Sequence, residues 1–235
     1  MGGKVLDILR FSEILIGGKR VNIKGFWGVE KGLLFKRFYS MPYTIPTDQV
    51  LEDGVFYAIK GRYIKGEIAL RFKPNVEHGE FVSPILRRGY VKYHRERKRL
   101  IRRAEERVDR ISFSKSDVDK IIKLCEITAK KHGRRIPKNI KKVLNLEGVD
   151  VISVYIGDLV GVIINLALKD RYLLWQMGWK DYNFLATFLL HLSVERGFSL
   201  GYDIVDLGIT TSERALNVKK ELGCDLNSFV YVVGW

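Results

Sequence analysis

The chain has 235 residues, 46% hydrophobic and 11% aromatic, values of a globular protein with enough apolar material for one large domain or a main domain with a smaller companion. Its 41 Lys and Arg against 27 Asp and Glu give a net charge of +14, which favours a polyanionic partner such as RNA, a nucleotide or an anionic membrane surface. No window approaches the roughly 18 uninterrupted apolar residues of a membrane span. The two cysteines, Cys125 and Cys224, have no neighbouring cysteine or paired histidines, so no metal site is expected and both read as buried small hydrophobes.

At the N-terminus, Asp7 and Arg10 fall where a secretory peptide would need its apolar stretch, so the cytoplasm is the expected location. Residues 1–89 read as a small β-rich part: short apolar runs at 25–35, 54–61 and 64–72 are punctuated by glycines, with turns expected near Gly54, Gly61 and Pro74. Between Arg87 and Arg110 the composition turns abruptly basic. Leu100, Ile101, Ala104 and Val108 share one helical face there, and the opposite face is almost wholly Arg and Lys.

Beyond that helix the elements alternate. A strand at Arg110 to Phe113 precedes a helix with Ser116 as N-cap and Val118, Ile121, Ile122, Cys125 and Ala129 at helical spacing, closed by Gly133. A shorter helix runs from Pro137 to Leu144. Three strands follow, Val151 to Ile156, Leu159 to Leu168 and Tyr172 to Met177, joined by tight turns at Gly157-Asp158 and Lys169-Asp170 in an antiparallel meander. A helix from Tyr182 to Arg196, ended by Gly197, leads to a strand (Ile204 to Leu207), a helix (Ser212 to Leu222) and a last strand (Phe229 to Val233). This order specifies a mixed, largely antiparallel sheet with helices on both faces, the order of a GNAT-like α/β (α+β) acyltransferase domain over residues 90–235. Gln occurs only at Gln49 and Gln176 while Lys, Arg, Glu and Ile are plentiful, a composition that hints at a thermophilic source.

Three short motifs carry a resemblance. Arg99-Leu-Ile-Arg-Arg-Ala-Glu-Glu before a short strand resembles the helix that opens the catalytic half of FemAB-like proteins, a GNAT-fold branch close to the BioF-like acetyltransferase domains. Gly197 with Val205-Asp206-Leu207-Gly208 resembles that family's Gly, then Tyr-Asp-Phe-Gly. Val218-Lys219 followed by Leu222-Gly223 is similar to its Phe-Lys-x-x-Phe-Gly. The resemblance implies an N-acyltransferase or aminoacyltransferase that moves an activated acyl group to an amine by direct attack. It puts Lys219 at the acyl-donor site, where an ammonium would offset phosphate or oxyanion charge; the opposing reading is an exposed lysine beside Lys220.

Asp206, at a strand end, is the candidate to orient or deprotonate the amine, or else a turn-capping carboxylate. The stretch Gln176-Met-Gly-Trp-Lys-Asp-Tyr lies where a donor would bind, making Trp175, Gln176, Trp179 and Lys180 the candidate donor-binding residues. It supplies only one glycine where the usual pyrophosphate loop has more, which argues against acetyl-CoA. The donor is left between aminoacyl-tRNA and an acyl-CoA, with no tightly bound cofactor. Arg99, Arg102 and Arg103 on the basic helix are the candidates for a tRNA acceptor stem or another polyanion. The residues 1–89 are too short for the family's complete first GNAT-like half and read as a reduced version of it. The competing functional reading is a non-catalytic RNA- or polyanion-binding module on the same fold.

Overall fold

A computed structural model describes residues 4–23, 26–31, 37–39, 56–64, 67–68, 80–82, 84–208, 213–225 and 229–233. The expected turns at Gly54 and Pro74 lie outside these residues. Gly61 does not turn the chain: it lies inside strand Phe56–Ile64, opposite Phe38.

The first element is a helix, α1 (Ile8–Ile16), within the part expected to be β-rich. Its caps explain it: the Asp7 carboxylate accepts the N–H groups of Leu9 and Arg10, and Gly17 closes the helix at φ 72°, the left-handed conformation that glycine adopts without steric cost. Phe11 turns inward to meet the edge of the Trp175 ring at a centroid distance of 5.3 Å.

Strands β1 (Lys19–Ile23), β2 (Phe26–Lys31), β3 (Arg37–Tyr39), β4 (Phe56–Ile64), β5 (Glu67–Ile68) and β6 (Glu80–Val82) then build most of a first sheet, in the order β1-β2-β3-β4-β13-β6 with β5 beside β4. Its remaining member is the last strand, β13 (Phe229–Val233), parallel to β4 and antiparallel to β6. The second sheet takes a strand from before residue 89 in return. It runs β7 (Ile85–Arg87), β12 (Ile204–Asp206), β11 (Tyr172–Trp179), β10 (Asp158–Ala167), β9 (Val149–Ile156), β8 (Arg110–Ser112). Hydrogen-bonded pairing therefore crosses the junction near residue 89 in both directions, which ties the two parts of the chain together.

In the second sheet all neighbours are antiparallel except β11 and β12. The β9-β10-β11 meander forms as its sequence predicts, with Gly157 turning the chain at φ 65°. Helices cover both faces. On one lie α2 (Arg95–Glu105) and α5 (Leu185–Ser199), over a core that includes Ile152, Ile163, Phe188 and Leu189. On the other lie α3 (Val118–Lys131), α4 (Ile140–Leu144) and α1, over Leu124, Val143, Val151 and Ile164. The chain thus carries a GNAT-like α+β sheet flanked by helices and preceded by a small, mainly β N-terminal part.

Two glycines set how closely helices approach this sheet. A Cβ on Gly178 would meet the Cys125 backbone nitrogen at 2.7 Å, so α3 rests its own backbone on β11 there. Gly197 does not end α5, which continues to Ser199; a Cβ at that position would strike Val205 Cγ2 at 2.6 Å and Tyr172 Cδ1 at 2.8 Å. The glycine lets the helix lie against β11 and β12. The N-cap of α3 is likewise Asp117, not Ser116, whose N–H instead donates to the Ser114 hydroxyl.

Candidate active site

Parallel pairing between β11 and β12 spans two residue pairs, Tyr172 with Val205 and Leu173 with Asp206. β12 then ends, while β11 runs on to Trp179. The carboxyl ends of neighbouring parallel strands are where α/β sheets present backbone groups and side chains to a ligand, because the loops diverge there. Just past this end, Gly208 adopts φ 74° with its Cα facing Leu174: a Cβ would sit 2.6 Å from the Leu174 carbonyl oxygen. No side chain other than glycine fits without moving a backbone.

Asp206 is wholly buried. Its Oδ1 accepts the Gly208 N–H at 2.8 Å, and its Oδ2 lies 3.6 Å from Nη1 of the buried Arg171. The carboxylate thus fixes the turn from residue 206 to residue 208 and is balanced by a guanidinium from the start of β11. A capping aspartate and an electrostatic one are here the same residue.

Helix α6 (Glu213–Glu221) supplies Lys219. Its side chain turns inward, 8% exposed, and Nζ donates to the carbonyl oxygens of Leu207 at 2.6 Å and Gly208 at 2.8 Å. Lys220, one residue on, faces solvent. Burial pushes the Lys219 ammonium down to about 8; Asp206 and Cys224 pull the other way, and Arg134 adds to the lowering. Buried lysines lose charge more readily because a low-dielectric surround disfavours the ammonium. The same burial pushes the Cys224 thiol up to about 12, so it stays a neutral, unreactive thiol beside the lysine.

Lys219 and Asp206, predicted from separate motifs, are therefore brought together at one strand end. Arg171 joins them at Asp206, and the charge of the exposed Arg134 is felt at Lys219; neither was picked out from sequence. Arg171 follows Asp170 in what reads as a plain turn. Arg134 sits in a basic run after α3, and its influence at Lys219 depends on how that helix ends relative to β11. That end is pinned: Thr128 Oγ1 accepts the Trp179 N–H at 2.9 Å and Lys131 pairs with Asp181.

The predicted donor-binding residues divide. Trp175 packs into the α1–α3 side of the core against Phe11. Gln176 is half-buried on β11 opposite Ile164. Trp179 packs against the α5 side, and its ring lies 5.7 Å from that of the exposed His132. Lys180 pairs with Asp158 at 2.9 Å.

Of the predicted polyanion contacts, Arg99 pairs with Glu96 at 2.7 Å, and Arg102 and Arg103 are exposed on α2. Neighbouring Arg97 is structural: it joins Glu221 at 2.6 Å and the Thr187 hydroxyl at 3.0 Å, fastening α2 to α6 and α5. His191 shares a hydrogen bond between its Nδ1 and the Tyr93 hydroxyl at 3.1 Å, and burial lowers its basicity. Among the described residues no group of three or more His, Cys, Asp or Glu could hold a metal ion, and no helix is long and apolar enough to cross a membrane.

No family profile and no curated protein matches this sequence. Solved structures do match its fold. L-PGS from Bacillus licheniformis aligns with a TM-score of 0.50 over 92% of this chain and 78% of its own, at 10% identity. The fold is shared with L-PGS. A structure described as the C-terminal domain (DUF2156) of a lysylphosphatidylglycerol synthetase from Agrobacterium fabrum aligns over 92% of this chain and 80% of its own, at a TM-score of 0.49 and 12% identity. At such identities the likeness is one of backbone architecture.

Proposed function

We propose that the protein is an acyltransferase of the FemAB-like kind, moving an activated acyl group, in the first instance an aminoacyl group, from its donor to an amine. The observation that carries this reading is the buried Lys219 ammonium held against the Leu207 and Gly208 carbonyls at the carboxyl end of the β11–β12 pair. The fold shared with L-PGS supports this reading at the level of architecture.

In the transfer the amine nitrogen attacks the acyl carbonyl carbon; the new C–N bond forms, the bond to the leaving oxygen or sulfur breaks, and the amine proton passes to the leaving group. Negative charge develops on the carbonyl oxygen and the leaving atom. Lys219, with Arg134 near it, supplies the compensating positive charge from a site where low dielectric strengthens it. With its value near 8, Lys219 also lies closer than an ordinary lysine to the range useful for handing a proton to the leaving group. Asp206 holds the turn and the lysine in place instead of meeting substrate, as its complete burial favours.

The test is transfer of a radiolabelled acyl group from a panel of aminoacyl-tRNAs and CoA esters to small amines. Lys219→Ala should lower kcat/KM about 100-fold or more, as removal of one charge-stabilising donor does elsewhere, with the circular-dichroism spectrum unchanged. Full activity in a folded Lys219→Ala protein removes the assignment.

A further inference from the structure

The sequence places its polyanion contacts on α2, but the least compensated positive surface is elsewhere. Residues 118–144, which contain α3 and α4, carry nine Lys and Arg against two acids, Asp119 and Glu126. On α2, Arg97 and Arg99 are held in ion pairs with Glu221 and Glu96, leaving Arg95, Lys98, Arg102 and Arg103 exposed without an ion pair among the described residues. On the other surface Lys131 and Lys141 are paired, whereas Lys123, Lys130, Arg135, Lys138 and Lys142 are exposed with no acidic partner among the described residues. Lys123, Ile127 and Lys130 recur at three- and four-residue spacing, so they form one stripe on the outer face of α3, and Arg134 follows just beyond the helix end, after Gly133 at φ 66°.

The stripe has a direction. The end of α3 is fastened to the end of β11 through Thr128–Trp179 and Lys131–Asp181, and Arg134 acts on Lys219 from there. A chain of phosphates lying along α3 would therefore run toward the carboxyl end of β11, the strand whose Leu174 carbonyl faces Gly208. At that end the exposed His132 ring stands beside the half-buried Trp179, a surface on which a base can stack. A bilayer fits less well: a helix lying in a membrane presents a continuous apolar face, and the apolar face of α3, Ile121, Leu124 and Cys125, is turned into the core, leaving Ile127 alone on the outer stripe.

We infer that the outer face of α3 and the α3–α4 connection dock the phosphate backbone of an RNA whose end reaches Lys219. The choice of RNA over DNA rests on the acyl-donor reading above; the location of the surface does not.

The experiment is equilibrium binding of unfractionated tRNA, a duplex DNA of matched length, and phosphatidylglycerol–phosphatidylcholine vesicles to the full chain over a range of salt. Two variants are compared, Lys123→Glu/Lys130→Glu/Arg135→Glu/Lys138→Glu and Arg99→Glu/Arg102→Glu/Arg103→Glu. The first should weaken tRNA binding about 100-fold or more and flatten the dependence of log K on log salt by about 3, whereas the second should leave that slope unchanged. Equal losses in both variants, loss only in the α2 variant, tighter binding of DNA or vesicles than of tRNA, or no tRNA binding by the unaltered protein each overturn the inference. tRNA binding through α3 and α4 without any acyl transfer sinks the proposed reaction alone. Transfer from tRNA with an unchanged KM in the α3–α4 variant sinks the docking surface alone.

Discussion

Replacing Lys219 by Met separates a buried ammonium from an ordinary surface lysine without any knowledge of substrate. Nζ lies 2.6 and 2.8 Å from two backbone carbonyls in a side chain that is 8% exposed, and burial holds its value at about 8 in the fold, against the usual lysine value near 10.4 in an unfolded chain. Between those two values the unfolded state holds a proton that the folded state lacks, so stability rises with pH across that window. Below it both states are charged and the whole cost of burying the ammonium is present. Above it neither state is charged and the cost is gone, while the neutral amine still has N–H groups for the carbonyls of Leu207 and Gly208.

At about 1.4 kcal/mol per pKa unit, the gain is about 3 kcal/mol. Urea unfolding of wild type and Lys219→Met, from about pH 7 to about pH 11, should show the wild-type-minus-variant stability difference climbing by about that amount. The thiols and tyrosines that also titrate there are common to both proteins and largely cancel. A difference that stays flat with pH would refute the buried-cation geometry, and with it the basis for placing Lys219 at a reaction centre.

Three further perturbations test the framework around the site. Gly178→Ala forces a methyl to within 2.7 Å of the α3 backbone, and since the obstacle is main chain, a loss of about 3 kcal/mol should appear as a lowered thermal midpoint. Asp206→Ala removes the acceptor for Gly208 N–H and one of the two carboxylates beside the buried Arg171, which keeps Asp170 at 2.7 Å; chemical denaturation should register a loss of about 1 to 3 kcal/mol. Asp7→Ala strips the N-cap of α1 and should cost about 1 kcal/mol, with faster amide exchange confined to α1.

The meander β9-β10-β11 was legible because its apolar runs are long and the turns at Gly157 and Lys169-Asp170 interrupt them sharply. Helix α1 carries equally plain signals, an Asp N-cap and a glycine C-cap with nine residues between them, yet glycine-punctuated runs nearby suggested strands throughout that part. The exchange of β7 and β13 between sheets was out of reach: three- and five-residue strands do not carry enough pattern to specify partners more than a hundred residues away. Gly197 illustrates a different limit. A glycine late in a helical pattern reads as its end, and only the neighbouring Val205 and Tyr172 reveal that it is there for close packing.

At the site, the inward direction of Lys219 could have been read from its spacing, four residues after Ala215 and three before Leu222, which share its half-buried or buried face. The contributions of Arg171 and Arg134 could not, because each reaches the site only through the folded sheet. The same holds for the proposed polyanion surface: composition favoured the dense Arg run of α2, and only the structure shows that two of its arginines, Arg97 and Arg99, are tied up with Glu221 and Glu96.

The most direct test of the central claim is acyl transfer itself, measured as label moved from aminoacyl-tRNA to a small amine by the wild type and by a folded Lys219→Ala variant. The account predicts turnover by the wild type and a loss of about 100-fold or more in the variant; equal turnover by both, or none from any donor with the wild type, contradicts it.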